Sequence, residues 1–320
     1  MVVNIDLKDK KIIEALEDDA RQSNIQIAKK VGLSKDAVRY RIARLEKEKI
    51  ILGYYSVLNI SRLGYLTYKL MINFQNTTSK VEEEIIKYLQ KSKVVGWLTS
   101  CDGVYNLMVV FWVRKPSEFQ KFLDDFLKKY SNYIKEREVL SITENHSCRK
   151  NYLFNRNKSF ESAYYSLEQE NVKFDSVDIK ILHFLANNSR VPLYEIAESL
   201  NLTPEAISHR IKQLKNKDIV QAFRPILNTS FLGYEYYNVL FRLRNFDNIK
   251  QLFDYFERNK NIIYYVRYLG DFDVGIDIEA KDSRELRSMI KKIKDEFSKD
   301  IESYQTILVY QEHKLSYMPE

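Results

Sequence analysis

The residues of this chain best suited to chemistry are cations gathered on one short stretch. Between Ser34 and Lys49 stand Lys35, Arg39, Arg41, Arg44, Lys47 and Lys49, against the carboxylates of Asp36, Glu46 and Glu48. Val38, Ile42 and Leu45 recur at helical spacing and so share one face. Lys35, Arg39, Tyr40 and Arg44 then face outward, with Arg41 at the flank. Long cations bind phosphates, and side chains with several donors reach base edges in a DNA major groove. Ser34 is placed to cap this helix, and Asp36 suits its positive end.

The pattern returns later in the chain. Asp6 matches Asp175, a shift of 169 positions. At that shift Leu33-Ser34 meets Leu202-Thr203, Arg41-Ile42 meets Arg210-Ile211, and Leu63-Gly64-Tyr65 meets Leu232-Gly233-Tyr234. Further on the shift becomes 167, where Gly103 meets Gly270 and His146 meets His313. One unit of roughly 150 residues is therefore duplicated. The second copy of the cationic helix is less basic. It presents Ser208, His209, Arg210 and Gln213, with Thr203 as cap and Pro204 at the first helical position. Serine and glutamine still read base edges.

Two further helices must position each cationic helix. Their apolar sets are Ile12, Ile13, Leu16 and Ile25, Ala28, Val31 in copy one, and Ile181, Leu182, Leu185 and Ile196, Ala197, Leu200 in copy two. With the turns at Gly32 and Asn201, this is a helix-turn-helix arrangement. The run Ile50-Ile51-Leu52-Gly53-Tyr54-Tyr55-Ser56-Val57 is rich in β-formers and reads as a strand or wing closing that domain.

The second half of each unit reads strand, helix, strand, strand, helix, strand. In copy one these fall near 66–75, 79–91, 93–101, 104–113, 116–131 and 134–146; in copy two near 235–244, 247–259, 262–270, 272–280, 282–299 and 301–312. This βαββαβ order is ferredoxin-like. Such a sheet carries helices on one face and needs its other face covered, usually by a second sheet. Trp97, Trp112, Tyr265 and Tyr268 suit that surface. The fold class is α+β: two tandem units, each a winged helix-turn-helix domain followed by a ferredoxin-like domain. The predicted domains span 1–60, 61–148, 174–229 and 230–320, with a polar linker at 149–173 and a short helix over Phe160 to Gln169.

Several residues in this order resemble the Lrp/AsnC (feast/famine) family of transcriptional regulators, in a tandem, archaeal-type form. They are Asp6 to Ile13, Leu33-Ser34, Val38, Arg41-Ile42, Leu45-Glu46, Ile50 to Tyr54, Leu63-Gly64 and, in copy two, Gly270-Asp271-Phe272-Asp273. The resemblance implies sequence-specific binding of double-stranded DNA, read by Ser34, Lys35, Arg39, Tyr40, Arg41 and Arg44, and by Thr203, Ser208, His209, Arg210 and Gln213. It implies RAM-type α+β domains that pair sheet to sheet, within the chain or between chains. It also implies an amino-acid effector near the loop Gly270, Asp271 and Asp273. The copy-one loop has Gly103 and Asn106, where Asn106 replaces the aspartate, so an effector's ammonium would find no carboxylate there.

Other classes are disfavoured. The chain has 320 residues, 45% hydrophobic and 30% charged, and a net charge of +7 that fits a polyanionic partner. The N-terminus shows no leader pattern and no run approaches 18 apolar residues, so a cytoplasmic protein without a membrane span is expected. Cys101 and Cys148 cannot make a disulfide framework or a zinc cage. No catalytic or metal-binding constellation and no cofactor motif is legible. The alternative is a haem-pathway, siroheme-type decarboxylase built on the same fold, which would draw on His146 and His313.

Overall fold

The computed structural model describes residues 5–154, 162–167 and 172–319. In copy one the order is α1 (Leu7–Asp18), α2 (Asn24–Val31), α3 (Lys35–Lys47), β1 (Ile51–Leu58), β2 (Leu66–Phe74), α4 (Ser79–Lys91), β3 (Val95–Asp102), β4 (Leu107–Val113), α5 (Pro116–Tyr130) and β5 (Ile134–Ser147). A short strand β6 (Ala163–Ser166) follows. Copy two contains α6 (Ser176–Asn187), α7 (Leu193–Leu200), α8 (Pro204–Asn216), β7 (Val220–Leu227), β8 (Glu235–Leu243), α9 (Ile249–Arg258), β9 (Ile262–Leu269), β10 (Val274–Ala280), α10 (Ser283–Glu296) and β11 (Ile301–Leu315). The expected helix over Phe160 to Gln169 is corrected where it is described: Ala163–Ser166 is a strand, bonded to Ser147–Glu144 of β5. The remainder of that stretch, apart from Ser162 and Leu167, lies outside the described residues.

The chain divides into two compact units, each drawing on both copies. One takes Met1–Leu63, Arg149–Lys158 and Glu170–Tyr234; the other takes Gly64–Cys148, Ser159–Gln169 and Glu235–Glu320.

In the first unit, capping chemistry sets the helix ends. Asp6 and Asp9 form a capping box on α1, and Asp175 and Asp178 repeat it on α6. The α2 helix stops at Gly32 and α7 at Asn201, both in the left-handed region, which frees the chain to turn into α3 and α8. The expected wing is not a hairpin within its own copy. Instead β1 pairs antiparallel with β7 of the other copy. Tyr55 pairs with Arg224, its own equivalent at the 169 shift, so the ribbon is isologous about that point.

In the second unit, each copy folds its four strands as β5-β2-β4-β3 and β11-β8-β10-β9, the ferredoxin-like order. β3 pairs with β11, and β9 with the far half of β5, so the eight strands close into a ring. Alternation sorts the side chains. Leu70, Ile72, Val109 and Phe111 face α4 and α5, and Val239, Phe241, Ile276 and Ile278 face α9 and α10. Met71, Met108, Leu140, Leu240, Tyr268 and Phe272 fill the space between the sheets. Burying each such side chain is worth about 1.5–3 kcal/mol. Tyr268 and Trp97 pack there as expected. Tyr265 does not: it lies on the helix side, stacked against His146.

Candidate nucleic-acid interface

The α3 and α8 helices are built alike and present different surfaces. Ser34 Oγ accepts from the Ala37 N–H at 3.1 Å, and Thr203 Oγ1 from the Ala206 N–H at 3.2 Å. Val38, Ile42 and Leu45 are buried on α3, as are Ile207, Ile211 and Leu214 on α8. Ser34, Lys35, Arg39 and Tyr40 are exposed, and Tyr40 keeps 69% of its surface. On α8 the exposed set is Thr203, Ser208, His209 and Gln213, with Gln213 Nε2 and His209 Nε2 at 3.0 Å. A large apolar or aromatic side chain left this bare on a helix flanked by cations suits contact with sugars and bases.

Three arginines expected on the reading face are turned inward. Arg41 Nη1 reaches Asp6 at 2.7 Å and Asp9 at 2.8 Å. Arg210 repeats this with Asp175 at 2.9 Å and Asp178 at 2.8 Å. Arg44, expected to face outward, also pairs with Asp9. The physical reason is the carboxylate of Asp9, buried to 1% exposure at the first turn of α1, which needs compensating charge. Arg41 holds the Asp6 carboxyl down at about 2, and that pairing raises the pKa of Arg41 itself. These arginines brace α3 and α8 against α1 and α6. The sequence signal for that role was present: Asp6, Asp9 and Arg41 recur together as Asp175, Asp178 and Arg210.

Two further residues escaped the sequence reading. Arg21 Nη1 donates to the carbonyl of Ser189 at 2.5 Å and of Val191 at 3.2 Å. Arg190 Nη1 donates to the carbonyl of Ala20 at 2.5 Å and of Gln22 at 3.4 Å. Each guanidinium also lies over an aromatic ring of the ribbon, Arg21 over Phe223 and Arg190 over Tyr54. Burial lowers the pKa of Arg21 from its ordinary value. With the β1–β7 ribbon, these contacts fix one reading helix relative to the other.

The two loops expected to hold an effector are turns with a shared internal duty. Asp273 Oδ2 accepts the Leu243 N–H at 2.7 Å, and Asn106 Oδ1 accepts the Phe74 N–H at 2.8 Å. Both side chains finish the end of a first strand. Gly103 and Gly270 have φ of 133° and 150°, a backbone conformation that favours glycine. Phe272 is buried in the inter-sheet core, and Asp271, at the surface, pairs with Arg242.

The two histidines at equivalent positions are half-buried. His146 stacks on Tyr265 with centroids 4.2 Å apart, and its Nδ1 lies 3.1 Å from Ser162 Oγ. Burial pushes its pKa down to about 4. His313 Nε2 lies 2.7 Å from Ser100 Oγ, and burial lowers its pKa too. Cys101 is buried and its thiol is pushed up to about 11 by that burial. Among the described residues no cluster of His, Cys, Asp or Glu could hold a metal ion, and no helix is long and apolar enough to cross a membrane.

Comparison with known proteins matches both DNA-reading segments. A winged helix-turn-helix DNA-binding profile covers residues 5–51, and an AsnC-type helix-turn-helix domain covers residues 174–215. The chain is 32% identical over 133 residues to the HTH-type transcriptional regulator LrpA of Pyrococcus horikoshii, across 41% of this chain and 92% of that one. It is 29% identical over 149 residues to the leucine-responsive regulatory protein of Rhizobium meliloti, across 45% of this chain and 94% of that one. The crystal structure of the siroheme decarboxylase NirDL matches the fold over 96% of this chain and 92% of its own, with a TM-score of 0.66 and 13% sequence identity.

Proposed function

Since this chain belongs to the Lrp/AsnC family of regulators and carries the family's unit twice, we propose that it is a sequence-specific transcriptional regulator of double-stranded DNA. The observation that carries this reading is the pair of capped helices α3 and α8, whose apolar faces are buried while Ser34, Lys35, Arg39, Tyr40 and Thr203, Ser208, His209, Gln213 stand exposed. In this reading 1–60 and 174–229 read DNA, 61–148 and 230–320 are the sheet domains, and 149–173 joins them. Arg41, Arg44 and Arg210 support the reading helices from behind. A cytoplasmic location goes with this function.

The two reading surfaces differ residue by residue, so their half-sites differ. A symmetric homodimer presents the same helix twice and selects a palindrome; α3 and α8 held together select a site without that symmetry. Selection from a random duplex pool, followed by footprinting, tests this. The expected motif is non-palindromic, with the half-site bound by α3 contributing more of the salt-dependent affinity. No enriched motif at all would defeat the DNA reading; a perfect palindrome would leave it standing but reassign the reading unit.

An amino-acid effector belongs to the same proposal, since one relative is named for its response to leucine. Asp271, with Arg242 beside it, is the surface carboxylate of the expected loop. Calorimetry with the twenty amino acids, on the intact chain and on Asp271→Ala, tests that part. Decarboxylation of a tetrapyrrole suits His146 and His313 poorly. Gripping a tetrapyrrole's carboxylates calls for cations, and burial keeps both His146 and His313 toward the neutral form. A visible spectrum of the chain with siroheme, unchanged from siroheme alone, is the expected result.

A further inference from the structure

The two sheets of the second unit face each other with unlike centres. At equivalent positions copy one has Thr67, Lys69, Cys101 and Val110, where copy two has Tyr236, Asn238, Tyr268 and Asp277. Lys69 is 3% exposed and Asn238 1% exposed. Lys69 Nζ donates to Asn238 Oδ1 at 3.0 Å, and Asn238 Nδ2 donates to Asp277 Oδ1 at 2.5 Å. Tyr236 OH donates to Asp277 Oδ2 at 3.0 Å, and Lys69 Nζ lies 3.5 Å from Tyr268 OH. Burial drives the lysine pKa down and the aspartate pKa up, and the attraction between the two opposes both shifts.

The ammonium comes from one copy and every other polar group of this chain of hydrogen bonds from the other. We propose that the Lys69–Asn238–Asp277 network specifies which sheet pairs with which: the copy-one sheet face is built to accept a copy-two face and to reject a second copy-one face. The equivalence of Lys69 and Asn238 makes the consequence direct. Copy one against copy one sets Lys69 opposite Lys69, with Val110 in place of the carboxylate. Two buried ammonium groups then share no counter-ion. Copy two against copy two buries two Asp277 carboxylates with no cation. An uncompensated buried charge is far costlier than a matched pair, so both like-with-like pairings are penalised. Apolar contacts such as Met71 and Leu240 favour sheet pairing without choosing the partner; the charged network supplies the choice. Within one chain the correct partner is also present at high effective concentration.

The test uses the full chain. Lys69→Met and Asp277→Leu are made singly and together, and thermal melts are combined with light scattering over a hundredfold range of protein concentration. Each single variant should melt lower than the parent, because it strands one buried charge. The double variant should recover most of that loss yet associate between chains at a concentration at least tenfold lower than the parent. A second variant, Val110→Asp with Asp277→Val, moves the carboxylate onto the copy that holds the lysine. It should drive association through copy one even if the apolar double variant folds poorly. Association unchanged within twofold in both the double and the relocated variant would overturn the proposal, whatever the melts show.

Discussion

Arg21 and Arg190 are reciprocal across the two DNA-reading halves: each guanidinium caps backbone carbonyls beside the other, Ser189 and Val191 for one, Ala20 and Gln22 for the other. Hydrogen bonds from a charged donor contribute about 1.5–3 kcal/mol each. Arg21→Ala or Arg190→Ala should destabilise the first unit by about that much, read by urea denaturation. Binding to the complete operator should weaken while the preferred bases in each half-site stay the same. A change of preferred bases would mean that these arginines touch DNA rather than set the distance between α3 and α8.

Arg39 and Arg44 differ in their partners on one helix. Among the described residues Arg39 pairs with the exposed Asp36, whereas Arg44 pairs with the buried Asp9. Arg39→Ala should leave the melting temperature near that of the parent. It should cost about 1–3 kcal/mol of binding if the side chain reads a base, or lower the salt slope by about one if it holds a phosphate. Arg44→Ala should instead cost about 1–3 kcal/mol of folding stability, since it removes a partner from a buried carboxylate. Equal melting of the two variants would contradict the assignment.

The strand-end role of Asp273 and Asn106 predicts matched losses. Asp273→Ala and Asn106→Ala each leave a backbone N–H without its side-chain acceptor, at a cost of about 1–3 kcal/mol. Chemical denaturation of each variant, with and without an amino acid that calorimetry has identified, distinguishes strand-end support from ligand contact. Both variants should lose stability equally in the two conditions.

Acid should act on the two units in separate windows. The folded pKa of His146 is about 4 against an ordinary 6.5, so the unfolded chain takes up the proton first. The stability it confers is complete above about pH 6.5 and falls as pH drops toward 4. Asp6 is held at about 2 against 3.8, so its contribution to the first unit is lost only below that range, as pH falls from about 3.8 toward 2. Melting curves between pH 7 and 3 should therefore show the second unit weakening first, and His146→Phe should flatten that part of the profile. A profile unchanged by His146→Phe would assign the loss to other groups.

Much of the fold was legible because local rules and the repeat agreed. Ser34, Thr203 and Pro204 announced the starts of α3 and α8, and the βαββαβ order appeared wherever apolar periodicity changed from helical to alternating. What stayed hidden depends on contacts distant in sequence. Nothing in the run Ile50 to Val57 says that its partner is Val220–Leu227 rather than a neighbouring hairpin strand. Arg44 sits on the outward side of α3 by periodicity, yet its length lets it reach back to Asp9, across 35 positions of sequence. Lys69 lies on the face of β2 opposite Leu70 and Ile72, where alternation alone permits an exposed polar residue, and its sequence gave no sign of burial or of Asn238 and Asp277 as its partners.

Closure of the eight-stranded ring also sets a timetable for synthesis. Copy two trails copy one by 169 residues, which at about 5–20 residues per second is a delay of about 10–30 s. Through that interval β3 has no β11, and Ser141–Ser147 of β5 has no β9, so a half-made ring presents open hydrogen-bonding edges and an unfilled apolar face. Neighbouring chains on one message would offer each other the same half at the same moment. A lysine in the middle of that face makes the half-made product a poor match for its own kind, and so guards the nascent chain until its proper complement emerges.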